Sequence, residues 1–279
     1  MRRVPVFMTV VLAILVAAAP VGAIQFAEPD GERHPQVGLM VALIVHPDSG
    51  ALVPAWRCSG TLIAEDVYLT AGHCVSGADH VEIWFDAGPV PLGAGYPSDT
   101  ENDPCDGITG YPCTGDVGGE PVPHPQYDDF AAFPATFDIG VVLLDEEQSG
   151  PFASLAPVGT LDEMATTPRQ GAQFDLVGYG LQDALPPTIT AERTRYFGQA
   201  KLVNTTNQLT ASYSVQLTAA PGTGGALCFG DSGGPVFLAG TTTIVAVNSF
   251  VLNLQCMGSG FSYRTDTADS MEFIGDFLN

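Results

Sequence analysis

The sequence predicts an all-β protein of the sandwich or barrel class that ends in one helix. Many short apolar or alternating segments are separated by glycine, proline and acidic residues, a spacing typical of such folds. No alternation of strand and helix patterns is visible, which argues against a parallel sheet with crossover helices. The 279 residues suffice for one core, since barrels of about 200–250 residues often form one domain. No internal repeat or second domain is indicated.

The first 23 residues have the pattern of a secretory signal peptide. Arg2 and Arg3 form a basic start, residues 6–19 are almost all apolar, and Val21-Gly22-Ala23 offers small residues for cleavage. A membrane anchor is the alternative, but the apolar run is shorter than the about 18 residues of a span. We therefore expect residues 1–23 to be removed, leaving residues 24–279 as one secreted domain, extracellular or periplasmic.

Apolar runs and alternation predict the strands. Val37–Val45 is nearly all apolar and predicts a buried strand, while residues 61–63 and Val67–Thr70 predict two short strands around a turn. Residues 81–86 alternate between apolar and polar, as a half-buried strand does. Further strands are predicted at residues 139–144, 174–177, 196–203, 213–217, 236–238, 244–249 and 260–263.

Residues 87–134 are crowded with proline, glycine and acids and predict long surface loops, one of them tied by Cys105 and Cys113. Carboxylates at residues 99–106 could gather around calcium, because hard oxygen ligands suit that ion. The glycine and terminal glutamate of an EF-hand loop are missing, so a solvated acidic loop is the favoured interpretation. The acids concerned are Asp99, Glu101, Asp103 and Asp106.

The end of the chain predicts a short helix with one apolar face, formed by Met271, Ile274, Phe277 and Leu278. Asp266 or Thr267 can cap its first turn.

Cysteine content and charge restrict the class of protein. An even number of cysteines behind a signal peptide predicts three disulfides, although their pairing stays open at this level. No C-x-x-C pair supports a metal site. Nine lysines and arginines stand against 31 acids, a formal charge of −22, which argues against nucleic-acid or anionic-membrane partners. The six cysteines are Cys58, Cys74, Cys105, Cys113, Cys228 and Cys256.

Residues 230–235, Gly-Asp-Ser-Gly-Gly-Pro, carry the strongest signal for chemistry. Glycines allow a substrate backbone to approach Ser232 and let amide N–H groups converge on one point. The segment fits the G-x-S-x-G elbow of α/β-hydrolases, but those enzymes need a histidine after the serine. The orders His-Asp-Ser and Asp-His-Ser both remain, and the missing strand–helix alternation argues against subtilisin. All histidines precede the serine: His34, His46, His73, His80 and His124.

His73 and Asp138 are the candidate partners of the serine. His73 directly follows a predicted strand, and the adjacent Cys74 can pin its loop. Asp138 stands before an apolar strand, where a buried carboxylate is costly unless it is paired, for example with a histidine N–H. The nearby Asp128 and Asp129 lie in a polar loop and are interpreted as solvated.

Four segments together resemble the chymotrypsin-like (trypsin) family of serine proteases, over about residues 24–279. The resemblance implies two six-stranded antiparallel β-barrels with a C-terminal α-helix and the active site in the cleft between the barrels. The matching segments are residues 58–74 around His73, Asp138 with its strand, Val177-Gly178-Tyr179-Gly180, and residues 230–235.

The resemblance also implies roles. Ser232 attacks the scissile carbonyl, His73 transfers the proton, and Asp138 orients the imidazole. The backbone N–H groups of Gly230 and Ser232 form the oxyanion hole, and no metal or organic cofactor is required. The implied disulfides are Cys58–Cys74 and Cys228–Cys256, which leaves Cys105 with Cys113.

The pocket for the residue before the scissile bond departs from the trypsin-like pattern. Ala226 occupies the position of the usual acid, and Leu227 follows it. Val251, near Ser249 on one wall, narrows the pocket, while Gly260 on the other wall leaves some room. We expect cleavage after small to medium apolar residues.

The family also implies an ion pair between a new N-terminus and the acid before the catalytic serine. Ile24 directly follows the predicted signal cut, so Ile24 and Asp231 are the candidate pair. A rival cut after Arg33 would discard the isoleucine.

The sequence therefore predicts a secreted, monomeric serine endopeptidase acting on proteins or peptides, with no membrane contact after signal cleavage. One alternative is a catalytically silent homologue that binds a partner. Another is an esterase that uses the same triad.

Overall fold

The computed structural model describes residue 24 and residues 26–166, 172–184, 187, 189–220 and 224–278. The predicted signal peptide, residues 1–23, lies outside the described residues. Elsewhere the chain forms two closed six-stranded antiparallel barrels, as predicted, with strands numbered β1 to β14 and helices α1 to α3 in chain order.

The first barrel closes in the order β2-β3-β4-β7-β6-β5. Its β2 and β4 have the predicted bounds, whereas β3 begins well before the predicted residue 61, because a mixed polar and apolar stretch is held by pairing with β2. The strands are β2 (Val37–Val45), β3 (Leu52–Leu62), β4 (Val67–Thr70), β5 (His80–Trp84), β6 (Val117–Pro123) and β7 (Gly140–Leu144).

The second barrel closes in the order β9-β10-β11-β14-β13-β12. Two short strands attach to it: β1 (Glu28–Pro29) pairs with β10, and β8 (Ser154–Leu155) pairs with β13. The six barrel strands are β9 (Gln173–Gly178), β10 (Tyr196–Asn204), β11 (Ser214–Ala219), β12 (Pro235–Leu238), β13 (Thr243–Val251) and β14 (Gly258–Arg264).

The two barrels share one apolar interface. A single cluster of buried side chains includes Leu39 and Val141 of the first barrel and Val177, Phe237 and Val247 of the second. Burial of these apolar side chains away from water is the main force that holds the two barrels together. Side chains at the edge of this interface can therefore be held rigidly from both sides.

The three helices are short. The predicted terminal helix is α3 (Ala268–Gly275), and Thr267 rather than Asp266 caps it, since the Thr267 side chain accepts the N–H of Ser270 at 3.2 Å. Two further helices were not predicted from the sequence: the single turn α1 (Gly72–Val75) and the seven-residue α2 (Thr160–Thr166). None of the described helices is long and apolar enough to cross a membrane.

The prediction of long surface loops over residues 87–134 fails at β6, which lies within that range. Its two glycines and two prolines have low strand propensity. Pairing with β5 and β7 overrides this, and at Gly119 an added Cβ would lie 2.6 Å from the Leu143 carbonyl oxygen. The acids of residues 99–106, all described, do not bring three ligand atoms together.

Three disulfides cross-link the chain, with the same pairing as the family resemblance implies. Cys58–Cys74 joins β3 to α1, and Cys228–Cys256 joins the serine loop to the loop before β14. Cys105–Cys113 closes the acidic loop of the first barrel.

Arg195 joins the N-terminal segment to both barrels. Its fully buried guanidinium donates to the Asp30 carboxylate at 2.9 Å, to the Gly31 carbonyl at 2.7 Å and to the Phe85 carbonyl at 2.9 Å. His34 completes the cluster, since its Nδ1 lies 2.6 Å from Asp30 Oδ1. Arg195 itself precedes β10 of the second barrel.

Arg195→Met should therefore lower the free energy of unfolding by about 3–5 kcal/mol, because it removes the guanidinium that pairs with the buried Asp30 carboxylate and leaves only His34 beside it. Arg33→Met is the matched control. Arg33 pairs with Glu28 at the surface, both side chains being well exposed, and such pairs contribute about 0–1 kcal/mol. Urea unfolding of both variants provides the measurement. An equally small loss of unfolding free energy in the two variants would contradict a stabilising role for the buried Arg195 contacts.

Candidate active site

His73 and Asp138 lie close together in the first barrel. His73 is on α1, directly after β4, and Asp138 immediately precedes Ile139 and β7. The Asp138 carboxylate is fully buried, lies 2.9 Å from His73 Nδ1, and accepts the backbone N–H of His73 at 2.8 Å. The Ser249 hydroxyl of β13 donates to the same carboxylate. These contacts favour a proton on His73 Nδ1, shared with Asp138, and leave Nε2 without a hydrogen-bond partner among the described residues and able to accept a proton.

The environment of this pair shifts both pKa values. Burial would lower the pKa of His73, but the adjacent Asp138 carboxylate outweighs it and raises that pKa above its usual value. Burial would raise the pKa of Asp138, but His73 and then Ser249 hold it below its ordinary value. Asp138 is therefore ionised at neutral pH and stabilises a protonated imidazole.

Ser232 lies on a loop of the second barrel that packs tightly against the first barrel, next to the residues that precede His73. The backbone N–H of Ser59 donates to the Ser232 carbonyl at 2.8 Å, and the N–H of Gly233 donates to the Asn248 carbonyl at 2.7 Å. A Cβ on Gly233 would lie 2.0 Å from Thr70 Oγ1, so only glycine fits there. The loop thus lies against the chain that leads into His73.

Two backbone N–H groups of the serine loop have no hydrogen-bond acceptor within the described residues. Within the described residues the N–H groups of Gly230 and Ser232 have no acceptor, whereas the N–H groups of Asp231 and Gly234 are bonded inside the loop. Gly230 has φ +94°, a conformation that glycine adopts readily. The free donors are the expected arrangement for an oxyanion hole. No hydrogen bond joins Ser232 Oγ to His73 in the described structure, and such bonds often tighten only with substrate bound.

Comparison with known proteins agrees with this fold. A sequence profile of the Trypsin family matches residues 33–271, most of the chain. The chain belongs to the trypsin family. It is thus a member of a family of serine endopeptidases. A solved structure of HL collagenase shares the fold, with a TM-score of 0.57 and 18% identity over 87% of this chain and 93% of that chain. Comparison with curated protein sequences gives no match.

The residues predicted to line the specificity pocket pack closely against one another. Ala226 and Leu227 are both buried, and Val251 of β13 pairs with Gly260 of β14. A Cβ on Gly260 would lie 2.4 Å from Leu227 Cδ2, so the Leu227 side chain occupies the space that glycine was expected to leave open. Ser249, predicted to lie on a pocket wall, donates its hydroxyl to the Asp138 carboxylate.

Asp231 is held in a closed, buried site. Its carboxylate accepts the backbone N–H groups of Gly180 at 2.8 Å and Cys228 at 2.9 Å, and the backbone N–H of Ile24 also donates to it. Ile24 is fully buried. Burial raises the pKa of Asp231 to about 7, despite these N–H donors and the charge of Arg57. The fold thus brings together Ile24 and Asp231, the two residues of the predicted N-terminal pair.

The aromatic residues beside His73 were not predicted from the sequence. The Phe130 ring lies 6.1 Å from the His73 ring and 5.9 Å from the Phe250 ring. Asp129 and Phe130 both have positive φ angles, 57° and 63°, which non-glycine residues adopt at an energetic cost. The Asp129 charge also adds to the rise in the pKa of His73, after burial and Asp138. No sequence signal marks this loop, because its prolines and acids read only as a surface segment.

Within the described residues, one cluster of side chains has the residue types and spacing to hold a metal ion: Cys58, His73 and Cys74. Both cysteine sulfurs are bonded to each other and cannot act as thiolate ligands. The group is therefore part of the support of His73.

Proposed function

We propose that this trypsin-family protein is a secreted endopeptidase that hydrolyses peptide bonds through Ser232, His73 and Asp138. The observation that carries the proposal is the combination of a buried Asp138–His73 pair with two free N–H donors on either side of Asp231. An acyl-transfer site needs these two features together: a polarised base and a preformed anion site.

In the proposed reaction Ser232 Oγ attacks the scissile carbonyl while His73 Nε2 takes the hydroxyl proton. The N–H groups of Gly230 and Ser232 stabilise the negative charge on the carbonyl oxygen, and Asp138 stabilises the imidazolium. His73 then passes the proton to the leaving amine, and the acyl-enzyme is hydrolysed by water with His73 again as the base. These residues suffice for the reaction without a metal or organic cofactor.

Proteins or peptides are the substrate class of this family. We propose that the enzyme acts outside the cytoplasm as a monomer, without nucleic-acid partners and without membrane contact once the signal peptide is cut. The excess of acids over bases and the three disulfides support this proposal. We also propose that signal peptidase exposes Ile24, whose amino group then pairs with Asp231.

Turnover of a peptide library and of simple acyl esters by one preparation tests the function. An endopeptidase cleaves internal peptide bonds and esters, and an esterase cleaves esters alone. A silent homologue cleaves neither. Loss of both activities after treatment with a serine-directed fluorophosphonate ties them to one site.

Specificity should depend on Leu227. We propose cleavage after small apolar residues first, because the Leu227 side chain lies against Gly260. Leu227→Ala should raise kcat/KM for leucine or phenylalanine before the bond, relative to alanine, by about ten-fold or more, since each methylene in such a pocket is worth about 1–3 kcal/mol. Leu92→Ala, at an exposed loop leucine, is the control. A wild-type preference for arginine or lysine would contradict this pocket.

A further inference from the structure

Ser59 contacts both residues that carry the free N–H donors. It is fully buried on β3, next to the Cys58–Cys74 disulfide. Its Oγ donates to the Gly230 carbonyl at 2.9 Å, and its backbone N–H donates to the Ser232 carbonyl at 2.8 Å. The same Oγ accepts the backbone N–H of Tyr179 at 2.9 Å. One residue of the first barrel thus holds two carbonyls of the serine loop, which belongs to the second barrel.

The loop needs such support from outside. Gly230 lies outside the strands with φ +94°, and a residue without a Cβ can turn its flanking peptides at low cost. The N–H and the carbonyl of Gly230 belong to the two peptide groups that meet at its Cα, so a bond that holds the carbonyl also limits how far the N–H can turn. The hydroxyl of Ser59 restrains the Gly230 carbonyl, and the Ser59 N–H restrains the Ser232 carbonyl on the far side of Asp231.

Ser59 is itself held in place. Thr70 Oγ1 donates to the Ser59 carbonyl at 2.9 Å. A Cβ on Gly178 would lie 3.3 Å from Ser59 Oγ, so the hydroxyl is packed closely against β9. The Ser59 hydroxyl, with one donor and one acceptor in use, cannot rotate without breaking a buried hydrogen bond.

We propose that Ser59 is a positioning residue that preorganises the oxyanion hole of this enzyme. The inference rests on the proposed function, in which Gly230 and Ser232 bind the oxyanion. Fixed donors stabilise charge in the transition state without a reorganisation cost, whereas mobile donors lose that advantage. Ser59 therefore acts on kcat through Gly230 and Ser232 and does not touch the substrate.

Ser59→Ala tests the proposal. We expect kcat to fall about ten-fold, less than the roughly 10²–10³ that loss of one donor costs, with KM within about two-fold. Affinity for a peptidyl trifluoromethyl ketone, whose hemiketal oxyanion needs the hole, should fall in parallel with kcat. The acidic limb of the pH–rate profile should stay in place, because the His73–Asp138 pair is intact. Rates are normalised to active sites counted by fluorophosphonate titration.

Ser214→Ala is the matched control, since Ser214 is a buried serine of β11 whose hydroxyl has no partner within the described residues. It should leave kcat and inhibitor affinity unchanged. Should Ser59→Ala not fold, Ser59→Cys keeps the side-chain size with a weaker donor and should again lower kcat with KM unchanged.

Wild-type kcat and inhibitor affinity in a folded Ser59 variant would overturn the positioning role, even if the melting temperature falls. A change in KM alone would also overturn it. Failure of the proposed function looks different, because the wild-type enzyme itself would then neither cleave peptides nor react with the fluorophosphonate.

Discussion

Ser232→Ala should abolish peptide and ester hydrolysis while leaving the fold intact. Ser232 is the proposed nucleophile, and His73 has no other hydroxyl to activate in the proposed mechanism. The residues of such a triad act as one unit, so the single change should lower kcat by about 10⁶-fold. Adding His73→Ala and Asp138→Ala to the same chain should cause little further loss.

Steady-state kinetics on a peptide substrate, with urea unfolding as a check on the fold, provide the measurement. Ser154→Ala is the control, because Ser154 is an exposed serine on β8, and it should retain wild-type turnover. If Ser232→Ala kept more than about a thousandth of wild-type kcat, the residual rate would exceed what binding and an oxyanion hole supply, and another nucleophile would be required.

Blocking the Ile24 amino group should remove most of the activity. In the chain described here Ile24 offers Asp231 only a backbone N–H. A free amine at the same position adds a positive charge beside a buried carboxylate and fixes the loop that carries the oxyanion donors. An enzyme made with a short removable extension before Ile24 should have about 10²–10³-fold lower kcat, comparable to loss of an oxyanion donor. Removal of the extension should restore it.

The pH dependence of stability should differ between the two forms. Before the cut, burial raises the pKa of Asp231 from 3.8 to about 7. The folded state therefore favours the protonated carboxyl group, and this contribution to the free energy of unfolding is lost as the pH rises through that range. After the cut, the carboxylate raises the pKa of the Ile24 amine above its ordinary value of about 8. That contribution is complete below about pH 8 and fades as the pH rises through the folded pKa.

Urea unfolding of the cut and extended forms between pH 4 and 10 measures both effects, and activity should fall reversibly in alkali. N-terminal sequencing of the secreted enzyme identifies the natural start. A start well downstream of Ile24, or full activity after acetylation of Ile24, would contradict the pair and indicate a propeptide instead.

The sequence alone predicted the elements whose pattern is local. Val37–Val45 is nearly all apolar and forms β2 with those bounds. Thr267 caps the terminal helix, where a cap was expected. β6 was missed because its strand conformation comes from its neighbours β5 and β7, while its own glycines and prolines favour turns.

In the candidate active site, too, local sequence patterns were predictable and contacts between distant residues were not. Residue types and chain order single out His73, Asp138 and Ser232, since each lies in a distinctive short segment. The support around them depends on contacts between distant parts of the chain. Ser249 is 111 residues from Asp138 in sequence, and Ser59 is 171 residues from Gly230. The close contact of Leu227 with Gly260 is likewise a packing effect, because it depends on how β14 packs.

The most direct measurement is the identity of the residue that a fluorophosphonate labels in the active secreted enzyme. We expect one label per molecule, located on Ser232 by mass spectrometry of the digested protein, with peptidase activity lost in proportion to labelling. Prior unfolding in urea should prevent labelling, because reactivity depends on His73 and the oxyanion donors. A label on another serine, or peptidase activity that survives complete labelling of Ser232, would contradict Ser232 as the nucleophile.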